Sequence, residues 1–164
     1  MPIRPTPETW RIIGGKSEVM GMMRQSPTQI KSPHALIADG RRDARLLVKY
    51  ILRRREYITD EASDATETYQ KLRNCRYDLV VLDIEMSGID KHTIAHEIRN
   101  GHVGQLNREL CIVGCGVMDW RKYEITPELT GLDLYFSKPL IAREFGAKID
   151  AILGRTAVNS QVVA

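Results

Sequence analysis

Cysteine is scarce in this chain of 164 residues, and its three cysteines are not spaced for a shared task. Cys75, Cys111 and Cys115 lack the C-x-x-C spacing, and no histidine is near enough in sequence to suggest a zinc site. On one strand, Cys111 and Cys115 would lie about 13 Å apart, which is too far for a disulfide bond. We therefore expect free, buried thiols.

Long apolar runs and a strong net charge are also missing. No run comes near the roughly 20 apolar residues that a transmembrane helix needs, and the N-terminus lacks a signal-peptide pattern. The formal net charge is only +3, so charge by itself predicts no nucleic-acid partner. We expect a cytoplasmic protein with one globular domain, no membrane insertion and no bound nucleic acid.

The two ends of the chain differ from its middle. Residues 1–33 carry three prolines within the first ten residues, a glycine pair and the linker-like stretch "RQSPTQIKSP". This composition predicts an extension or linker that is partly helical or disordered. Residues 155–164 resemble a loose tail. The globular domain is therefore predicted over residues 34–154.

Short apolar runs alternate with helical patterns from His34 onward. Strands that alternate with helices predict βαβ units, in which a parallel sheet is covered on both faces. Buried parallel strands are continuous apolar runs, such as the "LVVL" that precedes Asp83. The predicted strands are 34–39, 56–59, 77–83, 109–115 and 132–137. The predicted helices are 41–55, 64–74, 90–100 and 141–153, with a short one near Pro127.

Charged residues stand at the ends of three of these strands. Asp39 and Asp83 end two apolar runs, and Lys138 lies just beyond a third. Ligands of open parallel sheets bind at the carboxyl ends of the strands, so the three side chains should surround one crevice. Two carboxylates suit Mg²⁺, a lysine suits phosphoryl oxygens, and an aspartate can accept a phosphoryl group.

Motifs in a fixed order between His34 and Leu153 resemble the receiver domain of two-component response regulators. "ALIADG" supplies Asp39, with Gly40 where a second acid is usual. "VVLDIEMSGID" supplies Asp83 as the phosphoacceptor. "CIVGCG" has Cys115 where a threonine or serine hydroxyl is expected. "GLDLYFSKPL" supplies the last two positions, the switch aromatic Tyr135 and the lysine Lys138.

The resemblance implies a single-domain flavodoxin-like (βα)₅ fold of the α/β class. Its five-stranded parallel sheet would have the order 2-1-3-4-5, with helices on both faces. The implied activity is that of a phosphoacceptor signalling domain, not a conventional enzyme, because it catalyses only its own phosphoryl transfer and dephosphorylation. A histidine kinase or histidine phosphotransfer protein would supply the group, and output would pass through protein contacts.

The resemblance also implies the roles of individual residues. Asp83 would accept the phosphoryl group, and Lys138 would pair with the acceptor carboxylate and then with that group. Mg²⁺ would be held by Asp39, Asp83 and the backbone carbonyl of Glu85. The Lys138–Pro139 bond is expected to be cis.

Three departures from the family pattern affect these expectations. Gly40 removes one carboxylate from the metal site, so Mg²⁺ should bind more weakly, unless the Glu85 side chain compensates. Cys115 offers a thiol, which is a weak hydrogen-bond donor, so phosphorylation should be poorly coupled to the switch at Tyr135. Pro127 should disturb the helix that usually reports the switch.

Several further hypotheses remain at this point. The chain could be a degenerate pseudo-receiver that binds partners without phosphorylation, or a fragment of a larger hybrid protein. A small flavodoxin-like enzyme or nucleotide-binding protein is disfavoured because no glycine-rich phosphate loop follows the first strand. A homodimer is a further partner hypothesis.

A basic stripe of Arg41, Arg45, Lys49 and Arg53 along the first helix could face an acidic partner or only solvent.

Overall fold

The computed structural model of the chain describes residues 31–117 and 130–154. From Ser32 onward these residues belong to one compact unit. The predictions for residues 1–30, for the short helix near Pro127 and for residues 155–164 lie outside the described residues.

Five strands form one parallel sheet in the order β2-β1-β3-β4-β5. This result confirms the predicted fold class and strand order. The strands are β1 (His34–Ala38), β2 (Ile58–Ala62), β3 (Leu79–Asp83), β4 (Cys111–Gly116) and β5 (Leu134–Ser137). The helices are α1 (Arg42–Arg53), α2 (Ala65–Asn74), α3 (Ile94–Arg99) and α4 (Ala142–Ile152), with a 3₁₀ turn at Gln105–Asn107.

The sheet separates two apolar clusters because alternate strand residues point to opposite faces. On one face, Leu36 and Val80 pack with residues of α2 and α3 such as Leu72 and Ile94. On the other face, residues of β1, β3 and β4 pack with α1 and α4. Helices therefore cover both faces, which explains why the central strands are apolar throughout.

The boundaries of β2 and α3 differ from those predicted. The chain turns at Glu56, whose φ is 63°, and β2 then includes Asp60 and Glu61. Because these side chains are polar, the sequence pattern did not indicate a strand there. Asp90 Oδ1 accepts a hydrogen bond of 2.9 Å from the His92 amide, so this segment forms a turn and α3 begins only at Ile94.

The three described cysteines are free as expected, but only two of them are buried. Cys111 and Cys115 are free and buried on β4, whereas Cys75 is free but only half-buried. Across the residues that the structure describes, no helix combines the length and the apolar character that a bilayer crossing requires.

Candidate functional site

Two aspartates and one lysine meet at the carboxyl edge of the sheet. Asp83 is the last residue of β3, Asp39 directly follows β1, and Lys138 directly follows β5. The Lys138 ammonium lies 2.7 Å from Asp39 Oδ2 and 3.0 Å from Asp83 Oδ2. The backbone amide of Lys138 donates to the Gly116 carbonyl, which ties the lysine to β4, and the Lys138–Pro139 bond is cis as expected.

The other oxygen of each carboxylate is held by a backbone amide two residues further along the chain. The Arg41 amide donates to Asp39 Oδ1 at 2.8 Å, and the Glu85 amide donates to Asp83 Oδ1 at 3.0 Å. Aspartate commonly closes a turn in this way. Neither contact was predicted from the sequence, although an aspartate at the end of a strand is a usable signal for them. Both carboxylates are therefore fixed in orientation.

The cluster is largely removed from water. The side chains of Asp39, Asp83 and Lys138 are 9%, 12% and 16% exposed, respectively. Burial lowers the pKa of Lys138, but its hydrogen bonds to Asp39 and Asp83 outweigh burial and leave that pKa raised. Lys138 is therefore a stable cation at neutral pH.

Neither Gly40 nor Glu85 adds a third carboxylate to this cluster. A Cβ atom built on Gly40 would lie 3.7 Å from its nearest neighbour, the Ser63 carbonyl oxygen, so the backbone leaves room for a side chain there. The exposed Glu85 carboxylate instead accepts a 2.9 Å hydrogen bond from the Val117 amide, just after β4. Compensation by the Glu85 side chain thus has no support in its hydrogen bonding, and the role of its carbonyl stays a prediction.

Cys115 lies beside Asp83 but within the apolar cluster that includes α1 and α4. It pairs in register with Asp83 and is 2% exposed. Burial raises its pKa to about 12, even though the Lys138 ammonium lowers it. The side chain is therefore a neutral thiol at physiological pH, which is a weak donor toward any group on Asp83.

Tyr135, the predicted switch aromatic, packs against the opposite face of the sheet. It contacts the cluster that contains α2 and α3, and its ring lies over two glycines of β4. A Cβ atom built on Gly116 would lie 2.9 Å from the Tyr135 hydroxyl oxygen, and one on Gly114 would lie 3.4 Å from Tyr135 Cδ2. The two glycines therefore provide the space that the ring occupies.

The donor atoms at this edge fit a magnesium ion. Mg²⁺ is usually held through one or two carboxylates, with water and phosphate oxygens in its remaining positions. Asp39 and Asp83 supply those two carboxylates. No group of three or more metal-binding side chains occurs within residues 31–117 and 130–154. Any Mg²⁺ bound here would thus depend on these two acids.

Arg45, Lys49 and Glu61 form a charged network next to Asp39 that the sequence analysis did not anticipate. Arg45 Nη1 donates to the Asp39 carbonyl at 2.8 Å, and Arg45 Nε donates to Glu61 Oε2 at 3.1 Å. Lys49 binds the other Glu61 oxygen. Arg45 and Lys49 thus face β2, and the predicted basic stripe is only partly available to a partner. Glu61 is on a different element, so helical spacing could not reveal the pairing.

Comparison with known proteins agrees with this architecture. The family model for the response regulator receiver domain matches residues 35–150. The chain is 26% identical to the transcriptional regulatory protein ResD of Bacillus subtilis, over 80% of this chain and 52% of ResD. It is 28% identical to the aerobic respiration control protein ArcA of Escherichia coli K12, over 77% of this chain and 51% of ArcA. The chain spans about half the length of the curated relatives it matches.

Solved structures give the same result. A two-component response regulator from Clostridium difficile is 30% identical with a TM-score of 0.65, over 76% of this chain and 98% of that one. The response regulator TrrA of Thermotoga maritima, solved in complex with Mg²⁺ and BeF, is 27% identical with a TM-score of 0.61, over 73% and 98%. With its 2-1-3-4-5 sheet and a family match over more than half of its length, this chain belongs to the response regulator receiver domain family.

Proposed function

We propose that this receiver domain accepts a phosphoryl group onto Asp83 from the phosphohistidine of a histidine kinase or histidine phosphotransfer protein. The step belongs to a cytoplasmic phosphorelay and depends on Mg²⁺. The observation that carries the proposal is the Lys138 ammonium, which is bonded to both Asp39 and Asp83 at the carboxyl edge of the sheet. The Asp83 carboxylate thus lies beside the Lys138 ammonium, a cation that can also pair with a phosphoryl group on Asp83.

The transfer forms one bond and breaks one. A carboxylate oxygen of Asp83 attacks the phosphorus atom, and the bond between phosphorus and the histidine nitrogen breaks. The bonding pair stays on the imidazole, which takes up a proton and leaves neutral. The Glu85 amide orients Asp83 through a hydrogen bond. Lys138 pairs with the Asp83 carboxylate before the transfer and with the phosphoryl oxygens after it.

The charge balance of the site supports a role for a metal. Asp39, Asp83 and Lys138 together carry one more negative than positive charge, so they repel an incoming phosphoryl anion. A bound Mg²⁺ would neutralise phosphoryl oxygens as the bond forms. Asp39 and Asp83 would hold the ion, with the Glu85 carbonyl as the further protein ligand that the family resemblance implies.

A second function, a pseudo-receiver that binds proteins without phosphorylation, is favoured by Cys115. Its thiol is buried and neutral, so it would relay the state of Asp83 poorly to the rest of the domain. Aspartyl phosphate formation separates the two functions. Output in either case would pass through protein contacts.

The test is the intact mass of the protein after incubation with phosphoramidate and Mg²⁺. The wild type and Asp43→Asn should each gain one phosphoryl group that hydroxylamine removes, whereas Asp83→Asn should gain none. Asp43 is a suitable control because its carboxylate is exposed and pairs only with Arg41 among the ion pairs of the described residues. A chelator should abolish the gain. A folded wild type that gains nothing over a range of Mg²⁺ concentrations would contradict the proposal and support the pseudo-receiver.

A further inference from the structure

Asp39 has a partner at every polar atom. Its amide donates to the Ala62 carbonyl at 3.1 Å, and its carbonyl accepts from Arg45. Its two carboxylate oxygens accept from the Arg41 amide and from Lys138. Three of these four contacts are made by backbone amides or by Lys138, a residue of the cluster already described. The Arg45 contact is the additional one.

Arg45 connects the three elements that meet at Asp39. It lies in the first turn of α1, and its side chain is only 14% exposed. One nitrogen reaches the end of β1 through the Asp39 carbonyl, and another reaches Glu61, the neighbour of Ala62 on β2. A guanidinium can make both bonds at once because its donors form a rigid planar fork. The Arg45 guanidinium is therefore held by two hydrogen bonds, one to Asp39 and one to Glu61.

This connection spans Gly40, where no side chain restricts the backbone. Gly40 follows Asp39 directly, and a glycine permits more backbone conformations than any other residue. The contact from Arg45 to the Asp39 carbonyl closes the turn over Gly40 from outside the cluster. Without it, the Asp39 backbone would be held only on its amide side, by the Ala62 carbonyl, and the carboxylate by the Arg41 amide and Lys138.

We infer that Arg45 is a positioning residue that orients Asp39 for Mg²⁺ by holding its carbonyl. The inference rests on the proposed function, in which Asp39 is a ligand of the metal. The inference makes the opposite prediction to electrostatics alone, because removal of a cation near the site should by itself strengthen the binding of Mg²⁺. A positioning role predicts weaker binding instead. The sign of the change therefore distinguishes the two effects.

The test measures Mg²⁺ affinity without any phosphodonor, by NMR titration of the backbone amides around Asp39 and Asp83. Arg45→Gln should weaken the affinity about tenfold, as is usual when a residue that orients a metal ligand is lost. Arg45→Lys should fall between, since one ammonium cannot reproduce the fork. Lys49→Gln is the matched control. Like Arg45→Gln, it removes one positive charge and one cation that binds Glu61, but it leaves the hydrogen bond from Arg45 to the Asp39 carbonyl in place. It should stay within about twofold of the wild type.

Rescue by Gly40→Ala separates positioning from general loss of structure. The position has room for a Cβ atom, and alanine restricts the backbone that Arg45 holds. In the Arg45→Gln background, Gly40→Ala should restore part of the lost Mg²⁺ affinity. Urea unfolding of each variant shows that the measured chains are folded.

The possible failures can be told apart. Wild-type or tighter affinity in Arg45→Gln, or an equal loss in Lys49→Gln, would overturn the inference while leaving the acceptor role of Asp83 intact. A wild type that binds no Mg²⁺ would contradict both proposals. A wild type that binds Mg²⁺ but gains no phosphoryl group would contradict only the proposed function.

Discussion

Lys138 is the residue on which the stability of the site most depends. Its ammonium is the counterion that Asp39 and Asp83 share, and all three side chains are mostly buried. Loss of one partner from such a cluster leaves uncompensated charge in a region of low polarity. The same cluster that would carry the chemistry therefore also contributes to folding.

Replacement of Lys138 by methionine should destabilise the protein by about 2 kcal/mol at neutral pH. Because the pKa of Lys138 in the folded protein is raised above 10.5, its stabilising effect is fully present below pH 10.5. The effect is lost as the pH rises through the raised pKa. Urea unfolding of both proteins at about pH 7 and about pH 11 should thus show a difference that shrinks at the higher pH.

Lys148→Met provides the control for this experiment. Lys148 is exposed, with its ammonium 5.4 Å from the centre of the Phe136 ring, so its loss should cost less than about 1 kcal/mol. An equal destabilisation by Lys138→Met at both pH values would show that charge pairing is not the cause.

Gly40→Asp should restore the missing carboxylate and bind Mg²⁺ about tenfold more tightly, because affinity rises with the number of charged ligands. The backbone leaves room for a Cβ atom there, whose nearest neighbour would be the Ser63 carbonyl oxygen at 3.7 Å. Gly40→Asn has the same shape without the charge and should show little gain. Equal affinities of the two variants, measured by NMR titration, would show that charge at this position does not reach the metal.

Single residues were predictable where a strand end determined them. Asp39 and Asp83 end apolar runs, and parallel strands bring such ends to one edge, so their proximity follows from the sequence. The contacts of Arg45 and Glu85 did not follow. Glu61 is 16 residues from Arg45, and the Glu85 carboxylate meets Val117 only because the loops after β3 and β4 are neighbours.

Among the elements, β4 shows how glycines of one strand make room for an aromatic ring of the next. Gly114 and Gly116 point toward the Tyr135 ring, while Cys115 between them points to the other face. The alternation along β4 thus places Cys115 and Tyr135, the two predicted switch positions, on opposite sides of the sheet. The sequence motif predicted a role for both positions but not this separation.

Gly116→Ala should force the Tyr135 ring outward. The new Cβ atom would lie 2.9 Å from the Tyr135 hydroxyl oxygen and 3.1 Å from Ile84 Cγ1, so overpacking should cost about 1–3 kcal/mol. Urea unfolding and the aromatic NMR signals of Tyr135 measure the effect. In a Tyr135→Ala background part of that cost should disappear, and Gly40→Ala should cost little because its site is open. A full cost in both backgrounds would exclude the ring as its source.

Asn107 joins α2 to the start of β3 and should be essential for that junction. Its amide accepts from the Tyr77 backbone at 2.8 Å and donates to the carbonyls of Leu72 and Cys75 at 2.6 and 2.7 Å. Asn107→Ala should cost about 3 kcal/mol in urea unfolding, because buried backbone groups lose their partners. Asn100→Ala, at an exposed position, should cost less than about 0.5 kcal/mol. Similar values for the two would contradict the account of this junction.

The pattern of elements was predictable because apolar runs and helical spacing alternate so regularly. The errors lie where polar residues interrupt that pattern, as in β2, whose Asp60 and Glu61 form hydrogen bonds to Tyr77, Arg45 and Lys49. The start of α3 was placed too early, because Asp90 closes a turn that helical spacing does not reveal.

At the scale of the whole molecule, one sheet performs two tasks. Its faces build the two apolar clusters, and its carboxyl edge gathers Asp39, Asp83 and Lys138 from three separate strand ends. Such a site exists only in the folded domain, because the residues are 44 and 55 positions apart along the chain. The fold and the family follow from the sequence and the structure together, whereas the chemistry at Asp83 is a proposal.

Reductive trapping of the acceptor tests that proposal most directly. The full chain is incubated with phosphoramidate and Mg²⁺, treated with sodium borohydride and analysed by peptide mass spectrometry. Borohydride reduces an aspartyl phosphate to homoserine, so we expect homoserine at position 83 of the wild type and at no other aspartate. Homoserine at another aspartate, or an unchanged Asp83 in a folded protein, would contradict the account.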